Sequence, residues 1–192
     1  MRFDSVTFDL DGTMLDTVAD LAEACRLMLE DVGASPRSLA EIHSFVGKGM
    51  AILVERCLTR EHPPTAEQMH AAIEAFRHNY TETGMFTEAL LERMGMSDYF
   101  DVIVSGDTTA NKKPHPEPIL HACEIFGVRP DRNLHIGDSK HDIHAAHAAG
   151  CQAYCVPYGY NEGQPVSAAE CDELVPDLLA AFNLVRADQP KA

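Results

Sequence analysis

Basic residues are scarce in this chain, with 15 Lys and Arg against 30 Asp and Glu and a formal net charge of -15. That balance excludes nucleic acid as a partner, because phosphate backbones are held by clustered basic side chains and no such cluster is present. Long apolar runs are lacking as well. No stretch approaches the roughly 18 residues that cross a bilayer, so no membrane partner is expected. The first residues, Met1-Arg2-Phe3-Asp4-Ser5, carry no apolar leader, and the expected compartment is cytoplasmic. The six cysteines (Cys25, Cys57, Cys123, Cys151, Cys155 and Cys171) are too sparse and irregular for a disulfide framework and read as reduced packing residues. Cys151 and Cys155 lie along a predicted strand, and no second pair completes a zinc set.

What is present is ordinary for a globular protein. The 192 residues, 45% apolar and 23% charged, suffice for one domain or for a core domain with a small insertion. Ser5-Val6-Thr7-Phe8 reads as a strand that ends at a carboxylate and the turn Asp11-Gly12-Thr13. Four helical patterns follow. Thr17 is a predicted N-cap with Asp20 at N3, and its helix runs to Gly33. Ser38 to Glu41 is a capping box, Gly49 to Leu58 is periodic, and Thr65 opens a helix with Met69, Ile73, Phe76 and Tyr80 inward. Beyond these the pattern alternates. Helix 87–94 stops at Gly95, Val102-Ile103-Val104 is a predicted strand, and helix 116–126 stops at Gly127. Strand 134–136 ends at Gly137-Asp138, helix 142–149 and strand 153–156 follow, and a last helix covers 177–185. Alternating strands and helices imply a parallel sheet with helices on its faces.

Three clusters at predicted strand ends carry the chemistry. Asp9 and Asp11, two residues apart just beyond a strand, can face one cavity as nucleophile and proton donor. Lys113, before the rigid turn Pro114-His115-Pro116, can neutralise a carboxylate and a phosphoryl group together. Asp138 and Asp142 add hard oxygen ligands of the kind magnesium takes. Each cluster alone is an ordinary turn or cap; the three in this order point to phosphoryl transfer through a carboxylate. An acidic chain that binds an anionic phosphate needs local positive charge, which a metal ion and Lys113 can supply. His141, His144 and His147 recur on one predicted helix, but no Cys or Glu completes a zinc set and a surface stripe is expected.

On these motifs, and over nearly its whole length, the sequence resembles the haloacid dehalogenase-like superfamily, within it the bacterial phosphoglycolate phosphatases. The resemblance implies a Rossmann-like α/β core (residues 1–14 and 84–192) with a helical cap (15–83) inserted after the first strand. It implies a Mg2+-dependent phosphatase, monomer or homodimer, that turns a small anionic phosphomonoester, 2-phosphoglycolate, into glycolate and phosphate through an aspartyl-phosphate. By the same resemblance Asp9 is the nucleophile, Asp11 the general acid and base, and Lys113 the charge stabiliser. Magnesium is held by Asp9, the Asp11 carbonyl and Asp138, with Asp142 in support. Thr13, and Gly47 and Lys48 within Phe45-Val46-Gly47-Lys48-Gly49, are expected substrate contacts; Gly47 and Gly49 also read simply as breaks between two helices. Pro157-Tyr158-Gly159-Tyr160-Asn161-Glu162-Gly163 is a second subfamily feature. β-Phosphoglucomutase-like or phosphonoacetaldehyde hydrolase-like chemistry on the same core is the alternative.

One departure stands out. The superfamily's second motif, a Ser or Thr at a strand end that binds the phosphoryl oxygen, is missing between Tyr80 and Leu91, and neither Thr83 nor Thr87 fills its place on sequence grounds. Either the chain is a catalytically impaired deletion variant with a re-paired sheet, or a break hides near Met85. The cost of an unpaired internal strand position favours the break.

Overall fold

The computed structural model describes residues 3–60, 62–82, 87–106, 108–161 and 164–187. A four-stranded sheet runs in the order β1 (Ser5–Phe8), β2 (Asn133–Gly137), β3 (Gln152–Cys155) and β4 (Glu173–Leu174), every pair parallel. Ser5 lies opposite Asn133, Thr7 opposite His135, and Ile136 opposite Tyr154. The helices are α1 (Val18–Asp31), α2 (Leu39–Phe45), α3 (Met50–Leu58), α4 (Ala66–Glu82), α5 (Thr87–Arg93), α6 (Glu117–Phe126), α7 (Lys140–Ala149) and α8 (Leu178–Ala187). This is the expected α/β class with a parallel core sheet. No helix among the described residues is long and apolar enough to cross a membrane.

Two compact units divide the chain, Met1–Asp16 with Val102–Ala192, and Thr17–Asp101. In the first, β2 is buried along its whole length because helices cover both faces of the sheet. Side chains alternate along a strand, so Leu134 and Ile136 go to one face with Phe3, Tyr154, Val156 and the α8 residue Ala181. Burying each of these two contributes roughly 1.5–3 kcal/mol. The opposite face carries Ile119 and Cys123 of α6 and Ile143, Ala146 and Ala149 of α7, packed on Cys151, Ala153 and Cys155. All six cysteines are buried free thiols, as expected of packing residues.

The second unit is helical. Helix α1 buries Leu21, Ala24, Cys25, Met28 and Leu29, and α3 buries Leu53, Val54 and Cys57. Phe76 and Tyr80 of α4 stack with ring centroids 5.4 Å apart. The Ser38–Glu41 capping box forms as the sequence predicts, and Thr65 and Gln68 make a similar reciprocal pair at α4. Arg37, with its side chain only 8% exposed, closes the end of α3. It donates to the carbonyls of Arg56, Cys57 and Thr59, and it pairs with Glu41 at 2.9 Å. Helix α5 falls in this unit.

Three local expectations change. Val102-Ile103-Val104 is half-buried but forms no strand. β-branched residues make a strand only against a partner ladder, and among the described strands β1 pairs on one side only, with β2. Thr17 occupies the N-cap of α1, yet its side chain makes no cap hydrogen bond. Helix α7 begins at Lys140 rather than Asp142, because Ser139 is its cap and Asp142 sits at N3 of a full capping box. Residues 83–86, where the predicted break near Met85 falls, lie outside the described residues.

Candidate active site

The backbone brings Asp9 to the carboxyl end of β1, where its N–H donates to the Ile136 carbonyl at 2.9 Å and continues the β1–β2 ladder past the strand. The chain then folds tightly on itself: Met14 and Leu15 donate to the Leu10 carbonyl at 3.0 and 3.1 Å, and Gly12 donates to Leu15 at 2.8 Å. Gly12 has φ +87°, and a Cβ there would stand 2.8 Å from Oδ2 of Asp138. Glycine is required by the backbone and by the close approach together.

Asp138 follows β2 directly and is 2% exposed. Its Oδ1 accepts from the Thr13 hydroxyl at 3.1 Å and its Oδ2 from the Tyr160 N–H at 2.5 Å. The loop after β3 closes over this corner, with the Tyr158 hydroxyl on the Thr13 carbonyl at 3.3 Å and the Tyr160 hydroxyl on Asp16 at 2.6 Å. Burial pushes the Asp138 carboxyl up to about 6, and the charge of Asp142 adds to the rise.

Lys113 joins the clusters. Its ammonium donates to Oδ1 of Asp9 and to Oδ1 of Asp142, both at 2.5 Å. Burial opposes that charge, but Asp142 and Asp9 hold the ammonium well above the ordinary lysine range. For Asp142 burial works upward, and Lys113 with His135 overcomes it, keeping the group ionised and far below the usual carboxylate range. Asp9 is pushed up to about 7, mainly by burial and also by Asp142 and Asp138, with Lys113 pulling the other way.

Counting donors separates the carboxylates. Asp142 accepts from Lys113 and His135 on Oδ1, and from the Ser139 N–H and hydroxyl on Oδ2 at 3.1 and 2.5 Å. Four donors saturate a carboxylate. Asp138 accepts from the Thr13 hydroxyl on Oδ1 and from the Tyr160 N–H on Oδ2, and neither donor is charged. Asp9, Asp138 and Asp142 each offer an oxygen within 4.8 Å of the others. Three carboxylates against the single ammonium of Lys113 leave two formal negative charges, and a divalent cation with hard oxygen preference fits that donor set.

The structure thus brings Asp9, Lys113, Asp138 and Asp142 together, with Thr13 on Asp138. The Asp11 carboxylate is exposed and stands outside that cluster. Gly47 and Lys48 lie in an exposed turn between α2 and α3 of the helical unit, where Gly47 at φ +123° and Gly49 at φ +81° break the helices. His144 and His147 are exposed on α7, and His147 pairs with Asp172 at 3.0 Å. The motifs assign no separate role to Ser139, Tyr160 or His135, which the structure places on the carboxylates. Ser139 and Asp142 are spaced as a capping box, which was a usable signal. Tyr160 acts through its backbone N–H, which carries none.

Known proteins share this chain's sequence and fold. A family model described as haloacid dehalogenase-like hydrolase matches residues 80–156. A phosphoglycolate phosphatase of Thiobacillus denitrificans is 40% identical over 215 positions, covering 94% of this chain and 95% of that protein. One of Nitrosospira multiformis is 38% identical, covering 95% of each. The crystal structure of a predicted phosphoglycolate phosphatase from Haemophilus somnus superposes with a TM-score of 0.85 at 26% identity, over 96% of this chain and 99% of that one. The Thiobacillus alignment spans 215 positions against 192 residues here, so that relative carries residues without a counterpart in this chain. With its fold, its strand-end carboxylates and these relatives in agreement, the chain belongs to the haloacid dehalogenase-like hydrolases.

Proposed function

We propose that this phosphatase hydrolyses a small anionic phosphomonoester, 2-phosphoglycolate, with Asp9 as its nucleophile. The observation that carries the reading is Lys113 held between Asp9 and Asp142 at the carboxyl end of β1. The half-buried Lys113 ammonium favours the ionised, attacking form of Asp9 against the burial that raises it, and the same ammonium faces the phosphoryl oxygens as their charge shifts.

An Asp9 oxygen attacks phosphorus, the bond from phosphorus to the ester oxygen breaks, and Asp11 gives its proton to the departing alkoxide. Exposure suits Asp11 to this role, since it must exchange protons with water. Asp11 then takes a proton from the attacking water, whose oxygen bonds to phosphorus as the bond to Asp9 breaks, leaving glycolate and phosphate. Asp9, the Asp11 carbonyl and Asp138 would hold magnesium, which would supply positive charge beside the phosphoryl oxygens. The saturated carboxylate of Asp142 holds Lys113 instead. Thr13, beside Asp138, is the proposed substrate contact in this unit.

A panel of small phosphomonoesters with Mg2+ tests the reading. Phosphate release with the highest kcat/KM for 2-phosphoglycolate, abolished in Asp9→Asn while the fold is kept, is the expected result. An Asp9→Asn protein that retains full activity rejects Asp9 as nucleophile.

A further inference from the structure

One side of β1 and β2 carries polar side chains where a covered sheet face would ordinarily be apolar. Ser5, Thr7 and Asp9 alternate along β1 and its end, while Asn133 and His135 alternate along β2, with Ser5 opposite Asn133 and Thr7 opposite His135. Asn133 is 0% exposed and His135 is 3% exposed. Hydrogen bonds join them in one line. The Ser5 hydroxyl donates to Asn133 Oδ1 at 2.8 Å, and Asn133 Nδ2 donates to the Thr7 oxygen at 3.1 Å. That oxygen lies 3.0 Å from His135 Nδ1, and His135 Nε2 lies 3.4 Å from Oδ1 of Asp142. Asp142 in turn accepts from Lys113, which donates to Asp9.

The donor directions are mutually consistent. Asn133 already donates to the Thr7 oxygen, so the Thr7 proton is available to His135 Nδ1, which is nearer than the Leu134 carbonyl at 3.4 Å. A ring that accepts at Nδ1 is neutral with its hydrogen on Nε2, the nitrogen that faces Asp142. Valine and leucine would fill these positions without the cost of burying polar groups. The line ends instead on the carboxylate that anchors Lys113.

We propose that His135 is a positioning residue: held as the Nε2–H tautomer by Thr7, it sets the tilt of the Asp142 carboxylate and through it places Lys113 against Asp9. The inference rests on Asp9 and Lys113 acting as proposed above. Ser139 fixes only Oδ2 of Asp142; the direction of Oδ1, and so of the ammonium, needs a second donor from the sheet.

Steady-state kinetics with 2-phosphoglycolate and Mg2+ on His135→Leu, His135→Gln and Thr7→Val test it. For His135→Leu, kcat falls by roughly 10- to 100-fold with KM little changed, the range usual for groups that orient a reacting centre. Its melting temperature does not fall, because the Thr7 hydroxyl turns to the Leu134 carbonyl and Asp142 keeps three donors. His135→Gln, which restores an N–H toward Asp142, recovers most of the loss, and Thr7→Val shows a smaller fall. Wild-type kcat in His135→Leu overturns the proposal. So does an equal loss in the Leu and Gln variants accompanied by a lower melting temperature. A readout independent of activity is the 15N spectrum of the ring, assigned by its disappearance in His135→Gln: a neutral Nε2–H ring is expected, and a charged or Nδ1–H ring overturns the proposal. If the wild type releases no phosphate, the functional reading fails on its own while the ring spectrum still decides the tautomer.

Discussion

Lys113 and Asp9 meet at 2.5 Å although 104 residues separate them in the chain. The contact joins the end of β1 to the loop before α6, and Asp142 holds the ammonium from its other side at the same distance. One cation serving two carboxylates makes the site sensitive to any change in that side chain.

Lys113→Met is expected to lower kcat by about 10²- to 10³-fold, the usual effect of losing one charge-stabilising donor. Thermal melting falls as well, since Asp142 is left ionised and buried with its main partner gone. Phosphate release and melting measured on one preparation check both effects; unchanged kcat would show that Lys113 faces nothing that reacts.

Stability should depend on pH and on divalent cation together. Asp9 and Asp138 are raised to about 7 and about 6, from an ordinary 3.8. A carboxyl whose folded value is raised contributes stability that is complete below its unfolded value, near 4, and is lost as pH rises through its folded value. Between pH 4 and 7 these two groups therefore weaken the cation-free protein. Magnesium should offset that loss, so the melting temperature with Mg2+ minus that with EDTA is larger at pH 8 than at pH 5. Equal differences at both pH values would contradict cation binding at these carboxylates.

Gly12→Ala should damage the site more than the fold. A left-handed backbone costs a non-glycine residue about 1–2 kcal/mol, and the new methyl would press on Oδ2 of Asp138. The expected outcome is a weakened Mg2+ half-saturation with a modest drop in melting temperature, read from activity titrated with Mg2+.

Arg37→Met tests the helical unit alone. It strips the carbonyls of Arg56, Cys57 and Thr59 of a charged donor. Each such hydrogen bond contributes about 1.5–3 kcal/mol where it is buried, less where water can replace the donor. A loss of about 2–4 kcal/mol in urea unfolding is expected.

Much of this architecture was legible because it is local. Asp9 after a β-branched run, Asp138 after Leu-His-Ile-Gly, and the glycine that stops a helix at 127 are each decided by a few neighbouring residues. Gly127 takes the left-handed conformation that closes a helix. The strand expected at 102–104 failed for the complementary reason. Its residues have the propensity, but a strand exists only with a partner, and the described sheet ends at β1.

The sequence by itself determined which carboxylates stand at strand ends and which lysine precedes the turn into α6, because strand breaks and helix starts are short-range events. Only the tertiary structure decided what each group does to the others. The tightly folded loop after β1 carries Gly12 against Asp138. The β1–β2 register sets Thr7 opposite His135, and Asp142 becomes a saturated anchor for Lys113 while Asp138 accepts only uncharged donors. Those relations depend on distances between residues 29 to 128 positions apart, which burial and strand pairing set and no local pattern encodes.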